Sequence, residues 1–349
     1  MAAVSPTGTS NDTPTLQAVI NANDDVELAA GGVFNIPQVL EIPSSTRIFT
    51  DSNNPAILKR TGSTIRTTCV NGNGIRLENI KFDWNFGGAW KEFHSHISLA
   101  PPSGSGITPV NTLGDIWVVG CQFVESTTPG THSNSDSWCI SLSPGVSLQD
   151  IGKVRILGNR SDNQVQLVGN GSLNGTWSDV EIAYNQITQG HAAGIGFSSL
   201  ATTTLGRETT FSNINIHHNF IRNAFNLGIF IGQDNGATAD GQVTLSGIKI
   251  NDNLIELGTE SEFPMCVLVR PGTASGYLAS VECNRNVFSV QNSKQAGNTP
   301  RALQLTGLTT GNTLTFNNNI ANGLATNVLS NVALTASGNT YLNGTSWSA

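Results

Sequence analysis

The chain has 349 residues, a formal net charge of −7 and an isoelectric point near 5.3. That acidity argues against nucleic acid as a generic partner, and no apolar run reaches the roughly 18 residues of a membrane-spanning helix. Glycine is abundant, at 37 residues, and only 12 % of residues are charged; this composition suits short strands joined by many turns. Five cysteines (Cys69, Cys121, Cys139, Cys266 and Cys283) stand far apart without a CxxC pair. Their odd number argues against a disulfide framework, and the plain reading is small hydrophobes buried inside the fold.

Taken in order, residues 1–12 read as a polar tail, and the remainder, 13–349, as one domain. No basic segment followed by an apolar core is visible at the start, so no signal peptide is expected. Thr13-Pro14 reads as a helix N-cap followed by a first-turn proline. Leu16, Val19 and Ile20 then line one apolar face that ends near Asn21. Short strands follow at 26–28, 33–37 and 40–43, with Gly31-Gly32 between the first two.

One pattern then recurs to the end of the chain: two apolar residues two apart, followed three residues later by a bend residue. It reads Ile80-x-Phe82-x-x-Asn85, Ile116-x-Val118-x-x-Cys121, Val154-x-Ile156-x-x-Asn159, Val180-x-Ile182-x-x-Asn185 and Ile214-x-Ile216-x-x-Asn219. It continues as Ile248-x-Ile250-x-x-Asn253, Val281-x-Cys283-x-x-Asn286, Leu314-x-Phe316-x-x-Asn319 and Leu334-x-Ala336-x-x-Asn339. A repeat in the thirties with strand periodicity predicts a solenoid, which stays one domain however many repeats it adds. Asparagine at the bend is expected to supply a positive φ. Stacking at about 4.8 Å then lets the amides hydrogen-bond from coil to coil.

These residues resemble the right-handed parallel β-helix of the pectate-lyase superfold, where an asparagine ladder marks a turn between two sheets. The resemblance spans residues 10–343. It implies an all-β, single-stranded solenoid of about ten coils with an N-terminal helical cap that covers the open edge. The superfold hosts lyases, hydrolases, epimerases and phage tailspikes, so the likeness is specific for fold rather than chemistry. No adjacent-aspartate pair of the polygalacturonase type is found, and the RxPxxR motif of pectate lyases is absent.

The third strand of each coil alternates. Ile97, Ile140, Leu167, Ile195, Ile229, Val267 and Leu303 are expected inside, and Ser98, Ser141, Gln166, Gly196, Phe230, Leu268 and Gln304 outside. Connections before this strand vary in length, and loops on a rigid scaffold are where function concentrates. Long ones, 86–96 and 125–137, would wall a groove that Gly194 and Gly196 open. Asp136, Asp162 and His191 fall at these connections in successive coils and are the expected catalytic residues. Two close carboxylates serve glycosidic hydrolysis as acid and nucleophile or base; a histidine serves as the base in elimination or epimerisation. His96, His132, Trp138, Gln166, Phe230 and Arg270 are the expected substrate contacts.

Arg222 and Glu256, each three residues after a ladder Asn, predict a surface ion pair. His217-His218 reads as structural rather than metal-binding, since neighbours on a strand point to opposite faces. No metal is assigned and no cofactor is required; DxDxDG spacing is absent, and calcium enters only if a lyase mechanism operates. The expectation is a polysaccharide depolymerase, hydrolase or lyase, found outside the cell or on a virion. Its partner is a polysaccharide, with no nucleic acid and no membrane insertion, and it assembles as a homo-trimer. The alternatives are a non-catalytic glycan-binding spike or adhesin, or a polysaccharide epimerase.

Overall fold

A computed structural model describes residues 3–62, 66–84, 95–99, 110, 112–125, 138–141, 150–162, 166–169, 175–188, 193–199, 208–223, 227–233, 242–258, 264–270, 279–290, 300–305, 313–323, 327–330 and 334–341. These form one helix, Thr13–Ala22, and three parallel sheets of eleven, eleven and ten strands. Successive strands join the first, second and third sheet in turn, and each pairs with its equivalent one coil later. Ile116, for example, lies opposite Ile75 on one side and Val154 on the other. The result is a right-handed parallel β-helix whose interior is a stack of like residues. Across the third sheet one inward row runs Leu40, Thr68, Ile97, Ile140, Ile195, Ile229, Val267 and Leu303, with Val168 in backbone register between Ile140 and Ile195. The position expected for Leu167 belongs to Val168, because the strand Gln166–Gly169 pairs with Trp138 at Gln166.

The ladder forms, with two corrections. Asn159, Asn185, Asn219, Asn253, Asn286, Asn319 and Asn339 are all buried. Each side-chain amide donates to Oδ1 of the next asparagine at 2.9–3.1 Å, as far as Asn339. Each also donates to a backbone carbonyl of the preceding coil, as Asn219 does to Ile182 at 2.8 Å. The positive φ, however, belongs to the residue before the asparagine: Tyr184, His218, Asp252, Arg285 and Asn318, with Gly120, Gly158 and Gly338 elsewhere. Because the neighbour makes the bend, the asparagine is free to point inward. The second correction concerns the start of the ladder. Lys81 pairs with Gln122, so Ile80 is the residue in register with Cys121; Asn85 lies outside the described residues. Cys121 itself continues the column by donating its backbone N–H to Asn159 Oδ1 at 2.9 Å.

At the N-terminal end the chain supplies a substitute strand to each sheet. Val4 donates to the Glu27 carbonyl at 2.8 Å and accepts from the Ala29 N–H. Asp12 donates its N–H to the Asn35 carbonyl and accepts the Asn35 N–H on Oδ2, at 2.8 and 2.7 Å. Gln17 on the helix imitates a backbone: its amide donates to the Glu41 carbonyl at 2.9 Å and accepts the Glu41 N–H at 2.8 Å. Three edges that would invite pairing with other chains are closed this way. The helix begins one residue earlier than expected, with Thr13 its first residue and Asp12 at the N-cap. The Asp12 carboxylate caps no helix N–H and instead receives Thr7 and Asn35. Leu16 and Ile20 are buried against the first coil.

Candidate functional site

Where the third sheet faces outward it changes character along the axis. Ser98, Ser141, Gly169, Gly196, Phe230, Leu268 and Gln304 occupy one outward row. Side chains on this row are small from Ser98 to Gly196, then large and apolar, then polar. Phe230, Leu268 and Ala193, with Leu227 and Met265 beside them, form an apolar cluster separate from the interior core. The Arg270 guanidinium lies over the Phe230 ring, 5.7 Å from its centroid, and Arg301 donates to Gln304 at the next coil. Gly232, at φ 137°, lets the strand Leu227–Gln233 run against the Arg270 backbone, where a Cβ would collide with the Arg270 carbonyl. An aromatic ring under a guanidinium can stack a ligand ring and bond its hydroxyls.

The expected site residues are placed unequally. Phe230 and Arg270 are brought together. Asp162 ends the short strand Arg160–Asp162 opposite Thr188, and Trp138 and Gln166 face each other across the third sheet; the side chains of these three are outside the described set, as are Asp136, His132 and His191 entirely. The loops 86–94 and 126–137 lie outside it too. His96 is 1 % exposed and faces the interior, with its ring 4.2 Å from Trp84 and 5.7 Å from Phe82 and Phe123. Gly194 does not make room for a sugar. A Cβ there would lie 2.6 Å from Ile221 Cγ2, so its missing side chain serves inward packing.

Three features escaped the sequence reading. Outside the buried ladder runs a second one: Asn284 N–H donates to Asn251 Oδ1 at 3.0 Å, Asn317 N–H to Asn284 Oδ1 at 2.9 Å, and Ser337 Oγ to Asn317 Oδ1 at 3.0 Å. Its signal was the asparagine two residues before Asn253, Asn286 and Asn319. On the first sheet, left-handed residues Asp115, Lys153, Asp179 and Asn213 kink consecutive strands. The kink opens a groove of about 480 Å³ beside Thr112, Asp115, Asp150, Lys153, Ser178 and Asp179. Its carboxylates are engaged: Asp115 accepts the Trp117 indole N–H at 2.8 Å, Asp150 the Thr176 N–H at 3.1 Å, and Asp179 the Arg155 guanidinium at 2.8 Å.

The third feature is the ridge of left-handed residues outside the ladder. The Tyr184 ring stacks on His218 at 5.1 Å, and Asp252 accepts two 2.8 Å bonds from Arg285. That guanidinium, foremost, holds the Asp252 carboxyl below its usual value. His217 and His218 do not diverge as strand neighbours would, since φ 55° at His218 turns its ring back. Their Nδ1 atoms are 2.9 Å apart. The Arg222–Glu256 pair forms as expected, at 3.4 Å. Among the described residues no group of three or more His, Cys, Asp or Glu converges on a metal site, and no helix is long and apolar enough to cross a membrane.

In comparisons with known proteins, no family model and no curated protein sequence matches the chain. Solved structures do. The Streptococcus pneumoniae surface protein and adhesin PfbA aligns with TM-score 0.59 and 11 % identity, over 97 % of this chain and 95 % of its own. Polygalacturonase from Erwinia carotovora aligns with TM-score 0.52 and 13 % identity, over 99 % of this chain and 94 % of its own. Endo-xylogalacturonan hydrolase from Aspergillus tubingensis aligns equally well, with TM-score 0.52 and 12 % identity over 99 % and 94 %. At such identities the likeness is one of fold. Three all-parallel sheets, one cap helix and these neighbours make the chain a right-handed parallel β-helix of the pectate-lyase superfold.

Proposed function

We propose that this chain is a polysaccharide depolymerase that binds glycan along the outer face of the third sheet and cleaves glycosidic linkages there. The observation that supports it most is the Phe230 ring, 8 % exposed, under the Arg270 guanidinium on an outward row whose preceding positions, Ser98 to Gly196, are small. Sugars offer an apolar ring face and a rim of hydroxyls, which such a pair matches. Asp136, Asp162 and His191 are the proposed catalytic residues. They precede strands beginning at Trp138, Gln166 and Ala193, which are neighbours in the third sheet. In hydrolysis one aspartate acts as acid and the other as nucleophile or base; in elimination of an acidic glycan His191 takes the proton, and calcium would neutralise the uronate. The proposed setting is extracellular or on a virion, and the proposed assembly a homo-trimer, which a monomer in light scattering at micromolar concentration would reject.

A non-catalytic glycan-binding spike or adhesin is the second reading. What favours it is that the described outward side chains of this face from Ser98 to Gln304 include no carboxylate. A glycan panel separates the two, scored for new reducing ends and for absorbance of an unsaturated product. Cleavage that is lost in D162N and H191A but retained as binding supports the first reading. Binding without cleavage of any glycan, abolished by F230A and R270A, supports the second. Full glycan binding by F230A and R270A would remove this face from both.

A further inference from the structure

We propose that His217 and His218 form a bidentate site for a divalent transition-metal ion of the copper or nickel kind, with Glu181 orienting the first imidazole. Adjacent residues of a strand cannot chelate through their side chains, because they alternate in direction. Here the strand Glu208–His217 ends at the first histidine, and the second sits in the left-handed region at φ 55°. A β-bend of this kind is ordinarily filled by Gly or Asn; the equivalent coils use Gly120, Gly158, Asn318 and Gly338, but also Tyr184, Asp252 and Arg285, and only at His218 does the residue before the bend carry a second imidazole. Histidine in this position carries backbone strain, and its effect is to bring two ring nitrogens together.

The distance between them fits a metal. In a square-planar or tetragonal site, cis nitrogens at about 2.0–2.1 Å from the ion and about 90° apart are separated by roughly 2.9 Å. The two Nδ1 atoms are 2.9 Å apart, with ring planes 85° to each other. The far side of His217 has the partner that metal-binding histidines usually have. Its Nε2 lies 3.0 Å from Glu181 Oε1, and donation to a carboxylate fixes the tautomer that leaves the lone pair on Nδ1. Glu181 is itself held by Arg155 at 3.3 Å. His218 then donates its Nδ1 proton to His217 in the metal-free protein. On metal binding that proton moves to His218 Nε2 through solvent, so both rings stay neutral and both Nδ1 lone pairs face the ion.

Tyr184 completes the arrangement. It stacks on His218 at 5.1 Å and meets His217 edge-on at 5.6 Å, limiting the rotation of both rings. The next residue along the ridge is Asp252, whose two oxygens are committed to Arg285, so it adds negative charge rather than a ligand. Water fills the remaining positions, which makes the ion exchangeable and open to an outside ligand. The cysteines Cys69, Cys121, Cys139, Cys266 and Cys283 are all buried and do not compete.

The test is titration of copper(II) sulfate into the full chain, without a polyhistidine tag, in a weakly coordinating buffer. Electron paramagnetic resonance and calorimetry provide the readouts. One equivalent should bind with splitting from two equatorial nitrogens. The variant H218N keeps a side chain that tolerates the left-handed bend, as Asn318 does, and should lose the two-nitrogen signal with its melting temperature preserved. E181Q should weaken binding about 10–100-fold while leaving the two-nitrogen spectrum in place. A parent spectrum showing one equatorial nitrogen or none would overturn the proposal, and so would an affinity unchanged in H218N.

Discussion

Asn219 shows how much one side chain does at the buried turn. Its Oδ1 accepts from both the backbone N–H and the amide of Asn185, and its amide donates to Asn253 Oδ1 and to the Ile182 and His217 carbonyls. All of this happens at 2 % exposure, where an unmet polar group costs about 1–3 kcal/mol. Replacing Asn219 with Val should therefore destabilise the fold by roughly 3 kcal/mol, read as a shift of the urea midpoint. The backbone contributes nothing to this loss, because the strained residue is His218 and not Asn219. By contrast Arg222 and Glu256 are 58 % and 38 % exposed. Alanine at either should change stability by no more than about 1 kcal/mol, and a double-mutant cycle measures the coupling.

The helix Thr13–Ala22 stabilises the molecule less by its own length than by what it covers. One face buries Leu16 and Ile20 over the first coil, while Gln17 stands in for a missing strand against Glu41. Ala at Gln17 would leave a backbone donor and a backbone acceptor without their partner. The expected cost is about 2 kcal/mol, with hydrogen exchange at Glu41 accelerating first. Asp12→Ala removes bonds to Thr7 N, Thr7 Oγ1 and Asn35 N. It should open the second-sheet edge, and increased aggregation in light scattering at the melting onset is the outcome to look for.

For the molecule as a whole, the continuous interior sets its response to alkali. Burial pushes the Cys121 thiol up to about 12 from 9.0, and burial raises Cys266 and Cys283 as well. An unfolded chain ionises these thiols near 9 while the folded one keeps them protonated, so the unfolded state sheds protons first as pH rises. Stability should fall through the interval between 9 and 12, by about 1.4 kcal/mol per pH unit for each such thiol. Melting temperatures at pH 8 and pH 10 measure it, and Cys121→Ala should flatten the slope. In the native state at pH 8 a thiol reagent should label none of the five buried cysteines, and all of them after denaturation.

The sequence by itself determined the solenoid, the ladder from Asn159 to Asn339 and, except in the coil at Leu167, the inward row of the third sheet. It did so because a coil repeats its constraints: each turn needs the same buried amide and the same alternation, and the repetition is visible without any contact map. Register was legible only where the repeat was regular. In the coil at Ile80 an asparagine five residues on drew the alignment away, and only pairing of Lys81 with Gln122 placed it. Which residue takes positive φ was likewise decided in three dimensions, since Tyr184, His218, Asp252 and Arg285 share no side-chain type. That Phe230 and Arg270 meet was not legible in the sequence. Arg270 lies 40 positions later in the chain, and coil stacking alone brings it over the ring. The expected divergence of His217 and His218 failed for the same reason. Alternation is a rule for strands, and one residue leaving the strand was enough to turn two diverging imidazoles toward each other.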